Sequence, residues 1–278
     1  MKVLVTGAKG QLGFEIVKML NKKKVQTIGL NRLELDVTNR KKVEELLWKH
    51  MPDVVIHSAA YTNVALAEKE PEKAYQVNSL GAKNVAKASE SIGASLCYIS
   101  TDYVFDGMSK SPYTETDLPN PQNIYGMSKY LGEKNVQALC SKYFIVRTSW
   151  LYGSNGNNFV RKIIEKAESS NEIEVVNDQF GSPTYTRDLA IFLLELIKTG
   201  KFGIYHATNS GSCSWFEFAS EIFRELNHPV VIKAVNSDRY ISHVYRPKNS
   251  VLDNSAIIKN GFNVLPSWRE ALKDFLTI

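Results

Sequence analysis

The stretch Lys2-Val3-Leu4-Val5-Thr6-Gly7-Ala8-Lys9-Gly10-Gln11-Leu12-Gly13 decides the fold. Its first residues form a short β-branched, apolar run that stops at a glycine, which reads as a buried strand ending in a turn. Gly7 supplies the positive φ needed to leave the strand tightly, Gly10 lets the backbone approach a pyrophosphate, and Gly13 lets the next helix pack on the strand. The N-terminus of that helix then presents free N–H groups and a positive dipole end to the phosphates. Gly-x-x-Gly-x-x-Gly is a weak signal alone, because glycine turns also serve structural ends. Its place on the first strand of a βαβ unit favours dinucleotide binding.

Outward from this turn, short β-branched runs at 2–5, 25–30, 54–57, 96–100 and 144–147 alternate with helical patterns at 12–20, 42–49, 71–91 and 125–139. The order predicts an α/β protein with a Rossmann-like, doubly wound parallel sheet covered by helices on both faces. Residues 1–150 are expected to form the dinucleotide-binding domain, rejoined by about 172–200 through a strand at 173–176 and a helix at 189–198. Residues 151–171 and 201–278 are assigned to a smaller α+β substrate-binding cap, with helices at 215–225 and 268–275.

The 278 residues are 44% hydrophobic and 23% charged, the balance of a globular chain with a real core. The net charge of +5 is spread out. The runs Lys22-Lys23-Lys24 and Arg40-Lys41-Lys42 read as solvated helix ends, so neither a nucleic-acid partner nor a membrane is expected. Three distant cysteines, Cys97, Cys140 and Cys213, and an N-terminal strand too brief for a signal segment predict a cytoplasmic protein without a disulfide framework. The five histidines show no metal-ligand spacing, and no metal site is expected from them.

The chemistry gathers at the carboxyl ends of the strands, where such sheets bind ligands. Tyr125 and Lys129, in Tyr125-Gly126-Met127-Ser128-Lys129, stand four residues apart on a predicted helix and share one face. An ammonium beside a phenol favours phenolate, giving a proton donor and acceptor usable near neutral pH. Thr101, after Ser100 at the end of the fourth strand, is placed to hydrogen-bond a substrate carbonyl oxygen. A lone Tyr-x-x-x-Lys is usually an ordinary helix. Here it arrives in order behind the glycine turn and the Ser-Thr strand end, which points to a nicotinamide-dependent carbonyl reductase with Thr101, Tyr125 and Lys129 as its catalytic set.

The second strand ends in Gly29-Leu30-Asn31-Arg32. Asn31 cannot repel a 2′-phosphate as a carboxylate would and Arg32 could pair with one, so the reading leans to NADPH, with NADH possible. A plain surface role for Arg32 carries almost equal weight. Asp36 is a candidate for the adenine edge. Asn78 is read as a brace for the backbone of the neighbouring strand before a role in holding a relay water. Trp150 either packs flat on the ligand or is a core tryptophan at a domain boundary.

These residues resemble the extended short-chain dehydrogenase/reductase superfamily and, within it, the dTDP-4-dehydrorhamnose reductase family. The resemblance runs nearly end to end. It includes Ala59-Ala60-Tyr61-Thr62, Ser100-Thr101-Asp102-Tyr103-Val104-Phe105-Asp106-Gly107, Arg147-Thr148-Ser149-Trp150, Gly156-Asn157-Asn158-Phe159, Asp178-Gln179-Phe180-Gly181-Ser182-Pro183-Thr184 and Arg246-Pro247. It implies catalysis by Thr101, Tyr125 and Lys129, and a cofactor site of Gly7, Gly10, Gln11, Leu12, Asn31, Asp36, Val37, Ala59, Ala60, Tyr61, Thr62 and Ser100, with Tyr125 and Lys129. It implies a dTDP-sugar substrate touched by Thr101, Asp102, Tyr103 and Trp150, and reduction of its C4 keto group. Ala65 and Asn31 stand where the family usually has acids. A Mg2+ requirement, and the choice between monomer and homodimer, stay open. So do two other readings: another nucleotide-sugar reductase or epimerase, and a non-catalytic regulatory subunit of another enzyme.

Overall fold

The computed structural model describes residues 1–239 and 244–277. The chain opens with β1 (Lys2–Thr6), α1 (Gln11–Lys22), β2 (Gln26–Leu30), α2 (Arg40–His50) and β3 (Val54–His57). A short α3 (Val64–Lys69) precedes α4 (Pro71–Tyr75), which runs through a π-helical turn at Gln76–Gly81 into α5 (Ala82–Ser91). Then come β4 (Ser95–Thr101), α6 (Ile124–Leu139) and β5 (Tyr143–Thr148). The later elements are β6 (Leu151–Tyr152), α7 (Phe159–Ala167), β7 (Glu172–Val176), β8 (Phe180–Gly181), β9 (Thr184–Tyr185), α8 (Thr186–Leu196), β10 (Gly203–His206), β11 (Cys213–Ser214), α9 (Trp215–Glu225), β12 (Val231–Val235), α10 (Ser255–Lys259) and α11 (Trp268–Leu276).

The main sheet has six strands in the order β10-β5-β4-β3-β1-β2, every neighbouring pair parallel. The direction of winding reverses between β1 and β3, and a crevice opens at that point. Alternate strand residues serve opposite faces. Val3, Val5, Ile56, Ile99 and Val146 pack with α1 and α8, whereas Leu4, Val55, Leu96, Tyr98 and Ile145 pack with α2, α5 and Val136 of α6. Burial of both faces explains why these strands read as unbroken apolar runs. A third cluster holds the later elements together: Tyr152, Val160, Ile173, Phe218, Ile222 and Trp268.

Two strand assignments differ from expectation. The strand at 173–176 forms, but as β7 it pairs with β12 in a sheet of its own. The sixth strand of the main sheet is β10, which the sequence reading assigned to the cap. Both are short runs, and strand propensity does not encode the partner.

Candidate active site

The glycine turn has no room for side chains. Gly7 has φ +67°, and a Cβ there would sit 2.8 Å from the Ala59 backbone. A Cβ on Gly13 would sit 2.3 Å from the Gly7 carbonyl oxygen. Gly10 N–H closes the turn by donating to that same oxygen at 2.8 Å. Gly10 is also the N-cap of α1, and no side chain caps the helix, so its first N–H groups are left for a ligand.

A cavity of about 610 Å3 starts at Asn31 and Asp36, passes this turn, reaches Thr101, Tyr125 and Lys129, and ends at Trp150 and Trp215. Every catalytic, cofactor-binding and substrate-binding residue nominated from the sequence lines it. Several of their side chains are nevertheless committed elsewhere. Gln11 donates from Nε2 to Leu151 O at 2.9 Å and accepts from Asn158 at 3.2 Å, which ties the glycine turn to the chain after Trp150. Asp36 Oδ1 accepts both the N–H and the hydroxyl of Thr38. The Tyr61 hydroxyl donates to Glu70 at 2.7 Å. Ser100 Oγ donates to Glu133 Oε1 at 2.5 Å. Gln11 and Ser100 therefore offer the cavity their backbone rather than a free side chain.

The Asn78 carboxamide accepts from Tyr61 N–H at 2.8 Å and donates to Tyr61 O at 3.1 Å and to Ser128 Oγ at 2.9 Å. It braces the loop after β3 against α6, rather than a neighbouring strand. Asn123 caps α6 by accepting Gly126 N–H at 2.7 Å, which fixes where the helix starts and so where Tyr125 stands.

Thr101 Oγ1 donates to Asp102 Oδ1 at 2.9 Å and accepts from Tyr103 N–H at 3.2 Å. The Tyr103 ring meets the Tyr125 ring edge-on, 5.7 Å between centroids. Lys129 Nζ donates to Ile99 O at 2.5 Å and lies 4.1 Å from the Tyr98 ring centre. The sequence placed this ammonium beside the phenol. Burial pushes that phenol above its ordinary value, Asp102 and Tyr103 push it further, and hydrogen bonding with Thr101 pulls it down. Burial brings Lys129 down to about 7 against the opposing pull of Glu133. Asp102, 2% exposed, is raised to about 6 by burial, against hydrogen bonding from Ser250 and Thr101.

At the far end, Trp150 adopts φ +46° and stacks on Trp215. A Cβ on Gly181 would sit 2.5 Å from the Trp150 ring. Thr184 N–H donates to Trp150 O at 3.2 Å, and Ser149 Oγ to Ser182 O at 2.6 Å. The segment 178–184 thus braces Trp150, which is only partly buried and faces the cavity. Trp215 escaped the sequence reading. The Ser214/Glu217 capping box marks the helix start that carries it, but nothing local announces the partner ring.

Also unforeseen was a buried ion pair behind Lys129. Arg147 grips Glu133 with two hydrogen bonds, Nε to Oε1 at 2.9 Å and Nη2 to Oε2 at 2.8 Å. Among the described residues, no group of three or more His, Cys, Asp or Glu side chains could hold a metal ion. His243 lies outside them. No helix among them is long and apolar enough to cross a membrane.

The model of one family, the RmlD substrate binding domain, matches residues 1–278. The chain belongs to that family. Relatives of this RmlD-family chain cover almost its whole length. It is 43% identical to the spore coat polysaccharide biosynthesis protein SpsK of Bacillus subtilis (strain 168), over 99% of this chain and 96% of that protein. It is 38% identical to a dTDP-4-dehydrorhamnose reductase of Aggregatibacter actinomycetemcomitans, over 98% of this chain and 97% of that one. A crystal structure of dTDP-4-dehydrorhamnose reductase from Bacillus anthracis str. Ames in complex with NADP superposes with a TM-score of 0.97 at 47% identity, covering 100% of this chain and 99% of that one.

Proposed function

We propose that the protein reduces the C4 keto group of dTDP-4-dehydro-L-rhamnose to give dTDP-L-rhamnose, with NADPH as the preferred reductant and NADH accepted. One observation carries this reading. A single cavity joins a dinucleotide turn, the Thr101/Tyr125/Lys129 set and an aromatic shelf, in a chain whose full-length relatives include dTDP-4-dehydrorhamnose reductases.

The residues fit a dinucleotide. Gly7 and Gly13 let the turn pack backbone on backbone where a Cβ would clash, and the uncapped first turn of α1 suits a pyrophosphate. A bound reduced nicotinamide supplies the hydride. Lys129 would hold the ribose hydroxyls with the N–H groups not given to Ile99. Thr101 Oγ1 would donate to the substrate carbonyl oxygen, orienting it and stabilising the charge that develops there. Tyr125 would deliver the proton to that oxygen. Its raised pKa keeps it protonated, as a donor in the reducing direction must be. Asp102 and Tyr103 would contact the sugar, and the Trp150/Trp215 shelf the apolar face of the nucleotide.

NADPH oxidation in the presence of dTDP-4-dehydro-L-rhamnose, generated in the cuvette and followed by absorbance with NADH in parallel, tests the reading. Product dTDP-L-rhamnose is expected. Cofactor binding without turnover would overturn it.

A further inference from the structure

Glu133 sits on α6 one helical turn beyond Lys129, on the face that meets the sheet, and its side chain is 1% exposed. Two strands reach it directly and a third through Arg147. Ser100 from β4 donates to Oε1, Arg147 from β5 spans both oxygens, and Arg147 Nη1 meets His206 Nε2 of β10 at 3.3 Å. His206 Nδ1 lies 3.0 Å from Tyr113 O, a backbone acceptor, so Nδ1 carries the proton and Nε2 accepts from Arg147. Burial and Arg147 hold His206 down at about 3, so the ring is neutral.

Stability alone is a weak account of this arrangement. Taking two charges out of water costs several kcal/mol per ion, and apolar replacements for buried pairs are often as stable or more so. What lies next to the carboxylate does account for it. Lys129 is buried, with Tyr98 and Ile99 of β4 against it, His57 of β3 nearby, and Tyr125 on its own helix. Asp102, past the end of β4, acts on Tyr125. Of the charged groups, Glu133 is the one that favours the ammonium.

We propose that Glu133 is a positioning residue: clamped by Arg147 and Ser100 one helical turn from Lys129, its carboxylate keeps the Lys129 ammonium charged at the cavity wall. The proposal rests on the reductase reading for its use, but its test does not.

The test is the titration of the Lys129 ε-methylene, followed by 13C NMR of lysine-labelled protein and assigned by its absence from Lys129→Met. In Glu133→Gln the midpoint should fall by about one pH unit or more, the size expected on losing an adjacent opposite charge. The high-pH limb of kcat/KM should move down with it. Glu133→Gln leaves Arg147 uncompensated and could fail to fold. The charge-neutral Glu133→Gln/Arg147→Gln variant keeps a hydrogen-bonded pair and should also shift the midpoint down, by less, because the opposing Arg147 charge goes with it. An unchanged Lys129 midpoint in either folded variant, with only a lowered Tm, would overturn the proposal and leave Glu133 a structural residue. A protein that shows the shift but never turns over substrate would instead sink the reductase reading and leave this one standing.

Discussion

The indole rings of Trp150 and Trp215 lie 3.4 Å apart between centroids and within 6° of parallel. They come from distant parts of the chain and both line the cavity, with Phe159 4.5 Å from the Trp215 ring. A flat aromatic wall suits a nucleotide base or a sugar face. Trp215→Ala is expected to raise the KM for the sugar nucleotide about tenfold, since one base–aromatic stack contributes roughly 1–3 kcal/mol. The effect on kcat should be much smaller. Steady-state kinetics checks this, and an unchanged KM would remove Trp215 from the binding surface.

Tyr125→Phe removes the phenol while keeping the ring that Tyr103 packs against. A lost general acid lowers kcat by about 10²–10⁴-fold. NADPH affinity, read by nucleotide fluorescence, should hold. Full activity in this variant would move proton delivery to another group.

Asp102 gives a stability prediction with a definite sign. Its pKa in the folded protein is about 6, above the ordinary 3.8, because burial disfavours the carboxylate. The folded state therefore binds this proton more tightly than the unfolded chain does. The stability it confers is complete below about pH 4 and is lost as pH rises through about 6. Asp102→Asn cannot ionise and can still accept from Thr101. It should be more stable than the parent at pH 8, by on the order of 2 kcal/mol, with the difference closing near pH 4. Urea midpoints at the two pH values decide it. A variant less stable at pH 8 would mean that the Thr101 and Ser250 contacts outweigh burial.

At the adenosine end, two opposite charges compete. Arg32 is exposed and lines the cavity. The Glu34 carboxylate folds back to accept Asn31 N–H at 2.8 Å, putting an acid where the sequence suggested none. Arg32→Ala should weaken NADPH several-fold and leave NADH unchanged, since the 2′-phosphate is the only group that differs. Glu34→Gln should strengthen NADPH relative to NADH. Parallel KM values for the two cofactors report both effects, and equal losses for both in Arg32→Ala would exclude a 2′-phosphate contact.

The parts of the site legible in the sequence were those fixed by local chemistry. Gly7 and Gly13 announce themselves because no other residue fits where they stand. The spacing of Tyr125 and Lys129 places both on one helical face whatever the rest of the fold does. Contacts between distant segments were not legible. Trp215 meets Trp150, and Arg147 meets Glu133, only once the chain has folded. The same limit applies to Lys129. Its position was readable, but its turn towards Ile99 O depends on how β4 lies under α6. Gln11 and Ser100 were placed at the cavity correctly, while the partners of their side chains, Leu151 and Glu133, belong to other elements.

β10 bears on how the chain can be made and cut. It hydrogen-bonds along β5 from Gly203 to His206, more than fifty residues after β5 ends. Tyr205 and Ala207 also complete the sheet face that α8 covers. A polypeptide terminated near Trp150 would leave β5 as a bare strand edge and half of that face wet, a template for association with other chains. The nucleotide-holding half is therefore not a detachable module. During synthesis its sheet stays open on one side until the ribosome has released His206, so a truncation before that residue is expected to yield insoluble protein rather than a smaller working one.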